Sequence, residues 1–149
     1  METYIGCKKI EAKPMTRGEY CNYRGLDFVR DGSPTDEGYL VKYPDGYISW
    51  SPKAVFEEAY SKVGENKLLD TVFSMKSDDY KQRFIAEYQQ LIIRYKALKA
   101  MLDKWDNGEL SFTPTCPRST YNLQVEAMVK YITVLEARAV MEGIELQEV

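Results

Sequence analysis

Two runs of large side chains, stepping alternately by four and three residues, constrain this chain more than any other feature. Phe84, Tyr88, Leu91, Tyr95, Leu98, Leu102 and Trp105 form the first run; Tyr121, Val125, Met128, Ile132, Leu135 and Ala139 form the second. Side chains so spaced line one face of a helix, so each segment carries a seam that must be buried against another helix. The first helix is expected from 79 to 106, about 40 Å long. Asp78 and Asp79 stand at its positive end and Gly108 at its stop. Pro114 and Pro117 stiffen the connection, Ser119 or Thr120 caps the second helix, and Gly143 ends it near 142. So short a loop permits only an antiparallel return.

Apolar residues beside the seams, Ile85, Ile92, Val129 and Val140, widen both faces. A lone helical hairpin has too little core to cover them, so they are expected to meet the rest of the chain or another copy. A homo-oligomer follows, with dimer and hexamer both open.

The first half reads differently. Residues 3–13 are expected as a strand with Tyr4, Ile5, Cys7 and Ile10 as its apolar positions, stopped by Pro14. Met15 to Tyr20 form a turn or helical turn, and 25–37 are rich in Gly, Asp, Ser and Pro and read as loop. Tyr39 to Tyr43, the turn Pro44-Asp45-Gly46, and Tyr47 to Trp50 make a hairpin. Ser51 is placed to cap a short helix with Pro52 at its first position, and Val55, Phe56, Ala59 and Tyr60 form its apolar face. The connection over 64–78 is less regular. The expected fold is α+β: a small antiparallel β unit with a short helix over 1–74, then a long antiparallel helical hairpin over 75–149 that mediates oligomerisation.

Composition narrows the chemistry. The 149 residues contain no histidine, which removes the commonest acid-base side chain and the usual zinc ligand. Cys7, Cys21 and Cys116 are widely spaced, without a CxxC pair, and read as reduced thiols. A net charge of -3 gives no reason to expect a DNA or RNA duplex as partner. No apolar run suggests a signal peptide or membrane span. The paired acids Glu57-Glu58, Asp78-Asp79 and Asp103/Asp106 read as solvated surface or caps, and no phosphate loop, dinucleotide turn or nucleophile elbow is present. No catalytic residue, metal or cofactor is expected, and the chain reads as a non-enzyme.

Arginines beside loops are more suggestive. Arg17 and Arg24 bracket Tyr20 and Tyr23, and Arg118 opens the second long helix next to Tyr121 and Asn122. A guanidinium fork near free helix N–H groups can hold phosphate, and a neighbouring ring can stack on a base. Ordinary capping and ion pairing explain the same residues. Arg83, Arg94 and Arg138 could face the same assembly, or be solvated or paired. Trp50 could be a ring platform or a core residue.

Several segments resemble a known family. Tyr4-Ile5-Gly6, Pro14 to Tyr20, Gly38 to Val41 and Tyr47 to Pro52 resemble the amino-terminal part of phage anti-Thoeris proteins of the first Tad type. The segment from Asp79-Tyr80-Lys81 through Met128, Tyr131, Leu135, Glu136 and Arg138 is similar to the helical hairpin those proteins share with phage anti-CBASS cyclic-nucleotide sponges. The resemblance implies a non-enzymatic sponge in the cytoplasm of the infected bacterial host. Such a protein sequesters a cyclic ADP-ribose isomer made by a TIR-domain defence protein, and some members form hexamers and also bind cyclic di- or trinucleotides. It places the ligand between the β unit and the helices, near a dimer interface. Chemistry, rather than alignment to known contacts, selects Arg17, Tyr20, Arg24, Arg118, Tyr121 and Asn122 as the ligand-binding set. The alternative is a homo-oligomeric interaction protein that inhibits or scaffolds a host protein.

Overall fold

A computed structural model describes residues 1–4, 6–27 and 31–147. Ile5, an apolar position of the first expected strand and part of one resembling segment, lies outside them. The chain divides into two compact units, Met1–Glu65 and Asn66–Val149.

The first unit is a three-stranded antiparallel sheet with two short helices. Strands β1 (Glu11–Pro14), β2 (Gly38–Lys42) and β3 (Ile48–Pro52) lie in that order. β1 pairs Glu11 with Lys42 and Pro14 with Tyr39, while β3 pairs Ile48 with Lys42 and Pro52 with Gly38. Among the described residues the strand expected over 3–13 forms only from Glu11, and pairing with Tyr39 carries it through Pro14, the expected stop. The hairpin turn forms where expected, with Gly46 at φ 85° and its N–H donating to the Tyr43 carbonyl at 2.9 Å.

Gly38 is required by its neighbours, because a Cβ there would lie 2.4 Å from both the Ser51 carbonyl and the Trp50 ring. That indole also donates from Nε1 to the Met15 carbonyl at 2.8 Å, which makes Trp50 a packing residue of this unit. Helix α1 (Arg17–Tyr23) begins with a capping box: the Thr16 hydroxyl accepts from the Glu19 N–H, and the Glu19 carboxylate accepts from the Thr16 N–H at 2.7 Å. The latter bond holds Glu19 below the usual carboxylate range. Helix α2 (Lys53–Ala59) starts one residue later than expected. Pairing with Gly38 carries β3 through Pro52, which leaves Ser51 in the strand and no side-chain cap. Stacked rings tie this helix to the sheet, Tyr39 on Phe56 at 4.1 Å and Phe56 on Tyr60 at 5.0 Å.

The second unit contains helices α3 (Lys67–Asp70), α4 (Val72–Met75), α5 (Tyr80–Asp106) and α6 (Arg118–Glu142). The connection read as less regular thus holds two helical turns. Its Thr71 is buried and fixed by Gln90, whose amide donates to Thr71 Oγ1 at 2.8 Å. α5 and α6 form the antiparallel hairpin: Trp105 meets Tyr121 near the connection, while Tyr88 bonds Glu136 and Phe84 packs with Leu135 and Ala139 farther along.

Every residue of the two heptad seams is buried or half-buried. Both helices end as their glycines predict. After α5, Gly108 at φ 72° lets the Glu109 N–H reach the Lys104 carbonyl at 2.8 Å. After α6, Gly143 at φ 62° lets Ile144 bond the Ala139 carbonyl and join the cluster of Phe84, Leu135 and Ala139. At the other end of α6, Pro117 rather than Ser119 or Thr120 occupies the cap position, and no side chain caps the helix. Proline suits a helix start because it has no N–H to leave unpaired.

Among the described residues no helix is long and apolar enough to cross a membrane, and no cluster of three or more His, Cys, Asp or Glu could hold a metal ion.

Candidate functional site

The six candidate residues form two groups, one in each compact unit. Arg17, Tyr20 and Arg24 follow helical spacing along α1 and come together. The Arg17 guanidinium lies 4.9 Å from the centre of the Trp50 ring, and its Nε is buried without a hydrogen-bond partner. The Tyr20 hydroxyl and an Arg24 Nη both donate to the Ile48 carbonyl at 3.5 Å. One backbone oxygen of β3 thus gathers two of the three side chains.

Arg118, Tyr121 and Asn122 come together where the helices meet at the connection. Arg118 grips Asp106 with both arms of its fork, Nε to Oδ1 at 3.1 Å and Nη2 to Oδ2 at 3.0 Å, and its Nη1 donates to Asn122 Oδ1. The hydrogen bonds between Arg118 and Asp106 hold the Asp106 carboxyl below its usual value and push the Arg118 pKa up. The Tyr121 ring meets Trp105 edge to face at 5.7 Å, and the Arg118 guanidinium lies 6.0 Å from the same indole. This group clamps the end of the hairpin. Its arginine has already spent its bidentate face on a carboxylate.

A third feature was not legible as a group in the sequence. An open groove of about 370 Å³ is lined by Met75 from α4, by Arg83, Glu87, Gln90, Leu91 and Arg94 from α5, and by Tyr131 from α6. Arg83, Glu87, Gln90 and Arg94 step by four, three and four, a polar heptad running beside the apolar seam. That spacing was the available signal, but Met75 and Tyr131 reach the groove only through the fold. Arg83 donates to the Ser77 and Asp78 carbonyls at 2.6 and 2.9 Å, and the Tyr131 hydroxyl donates to Glu87. Arg94 is exposed and belongs to none of the ion pairs among the described residues.

Residues 78–141 match the family model described as Sequestin. The matched span takes in nearly all of both long helices, Arg118, Tyr121 and Asn122, and every groove residue except Met75. The β unit lies outside it, with Arg17, Tyr20 and Arg24. No curated protein and no solved structure matches the chain significantly.

The outer side of α6 carries a further stripe. Leu123, Ala127, Lys130, Val134, Ala137 and Met141 repeat the steps of four and three on the side away from the seam, and all six are exposed. Leu123, Val134 and Met141 are 66%, 54% and 76% exposed, and Val129 and Val140 flank them. Val129 and Val140 are visible in the sequence as apolar positions beside the seam, but Lys130 interrupts the stripe itself and hides its periodicity.

Proposed function

We propose that this chain is a self-assembling capture protein: copies join through the outer face of α6, and the assembly holds a small ligand without turning it over. The stripe of Leu123, Val134 and Met141 carries the assembly part of this reading. Single exposed apolar residues are ordinary, but a helix apolar on opposite sides belongs between two partners. α5 supplies one of them. A second copy supplies the other, as a dimer or as part of a hexamer.

The ligand we assign is a cyclic ADP-ribose isomer made by a bacterial TIR-domain protein, with cyclic di- or trinucleotides as a second class. The resemblance of both halves of the chain to phage anti-Thoeris and anti-CBASS sponges supports this choice. The hairpin, which carries the anti-CBASS resemblance, is also the part that matches the family described as Sequestin. In that role the protein works in the cytoplasm of the infected host, where holding the signal keeps the defence effector inactive. A second reading is favoured by the α6 stripe alone: a homo-oligomeric interaction protein that inhibits or scaffolds a host protein, with apolar surface rather than arginine as its working part.

The test is retention. Purified protein is mixed with a TIR-generated cyclic ADP-ribose isomer, freed of unbound ligand and heat-denatured. Capture predicts that intact ligand is released in proportion to protein. Altered nucleotide would indicate an enzyme, and an assembled protein that retains neither this ligand nor a cyclic oligonucleotide would favour the protein-binding alternative.

A further inference from the structure

We propose that the groove lined by Arg83, Gln90, Arg94 and Tyr131 is the binding site for a phosphorylated ligand of nucleotide size. The inference deepens the capture reading by naming where the ligand sits, and it rests on that reading.

A volume of about 370 Å³ is that of a small-molecule site. Its lining divides as such a ligand requires. Met75 and Leu91 give apolar surface, Tyr131 gives an aromatic ring, Gln90 gives an amide, and two guanidiniums give charge. The single lining carboxylate, Glu87, receives the Tyr131 hydroxyl, so two cations face one engaged anion within a chain of net charge -3. The groove therefore runs against the charge of the molecule around it, as a site for an anion should.

Arg94 of the groove is also less committed than Arg118 at the start of α6. Arg118 is committed to Asp106 and Asn122, and Arg24 reaches the Ile48 carbonyl. Arg94 has no ion-pair partner among the described residues. Arg83 uses Nη1 on two backbone carbonyls, which fixes its position and leaves other N–H donors of its five for a ligand. The two stand about 16 Å apart along the helix axis, three turns on one side of α5. Long side chains at both ends of one groove can hold separate parts of one ligand, a phosphate at one guanidinium and a second phosphate or a ribose hydroxyl at the other. Gln90 is held through its NH2 by Thr71, so its carbonyl oxygen remains to accept from a base amino group or a ribose hydroxyl.

Calorimetric titration of the full chain with a TIR-generated cyclic ADP-ribose isomer, and separately with inorganic pyrophosphate, tests the site. Arg94→Gln and Arg83→Gln should each weaken binding of the cyclic nucleotide about 10- to 100-fold. Arg94→Lys, which keeps charge but loses the fork, should fall between Arg94→Gln and the parent. Lys104→Gln in the last turn of α5, which removes the same charge outside the groove lining, should bind as the parent does. Arg94 makes no ion pair, so its variants should melt with the parent and report binding alone. Tight binding by the parent that the double variant Arg83→Gln/Arg94→Gln retains would overturn the groove and leave capture standing. Failure of the parent to bind either probe or a cyclic oligonucleotide would overturn capture and the groove with it.

Discussion

The two long helices share one seam but turn different faces outward. The exposed positions of α5 include Gln82, Arg83, Glu87, Arg94, Lys96, Asp103 and Lys104, the usual polar back of an amphipathic helix. Those of α6 include Gln124, Glu126, Lys130 and Glu136 but add the apolar Leu123, Val129, Val134, Val140 and Met141, where α5 adds Tyr80. Equal helical propensity and a common core would not produce that asymmetry. α5 packs against α4 and lines most of the groove, whereas the outer stripe of α6 is exposed in the single chain. The proposed function divides along the same line, with ligand binding assigned chiefly to α5 and assembly to α6.

Adjacent residues of α6 give the sharpest way to break this comparison. Leu135 is 1% exposed in the seam, whereas Val134 is 54% exposed on the outer stripe. Leu135→Asp should cost about 4 kcal/mol or more, because it buries an unpaired charge, and should abolish a cooperative melt. Val134→Asp should leave the melt of a separated chain within about 0.5 kcal/mol of the parent. Chemical denaturation at low protein concentration compares them; equal losses would mean the two faces are not distinct.

The helix starts differ too, and on a smaller scale. Asp79 caps α5, its carboxylate accepting from the Lys81 N–H at 2.9 Å, while α6 begins at Pro117 without a side-chain cap. Asp79→Ala should therefore cost about 1 kcal/mol, and Ser119→Ala less than about 0.5 kcal/mol. Denaturant midpoints of the two variants measure the difference.

The smallest expected effect lies at the clamp joining the helices. Hydrogen bonds from Arg118 depress the Asp106 pKa in the folded protein. A depressed carboxyl pKa stabilises fully above the unfolded value of about 4 and loses that contribution as pH falls through the folded value. The melting difference between the parent and Asp106→Asn should accordingly be largest near neutrality and shrink below about pH 4. A difference independent of pH would assign the pair no titrating role.

Much of this architecture was legible because periodicity is a local signal. Phe84 to Trp105 and Tyr121 to Ala139 announce their seams, and Gly108 and Gly143 their ends, without any knowledge of the partner. The hairpin of Tyr39 to Trp50 was equally plain, since Asp45-Gly46 specifies its turn. Boundaries fixed by pairing were not legible: Pro52 stays in β3 because Gly38 stands opposite, and among the described residues β1 begins only at Glu11, opposite the last residue of β2. The candidate arginines were visible, but their commitments were not. Only the fold spends Arg118 on Asp106, and only the fold joins Arg83 and Arg94 to Met75 and Tyr131 in one groove.

The mass of the native particle tests the outer face of α6 most directly. Native mass spectrometry of the full chain should give a discrete multiple of 17.3 kDa, and Leu123→Glu/Val134→Glu should reduce it while the helical circular dichroism stays unchanged. A parent that remains at 17.3 kDa under conditions that preserve complexes, or a variant that assembles as the parent does, would contradict the assignment of this face to assembly.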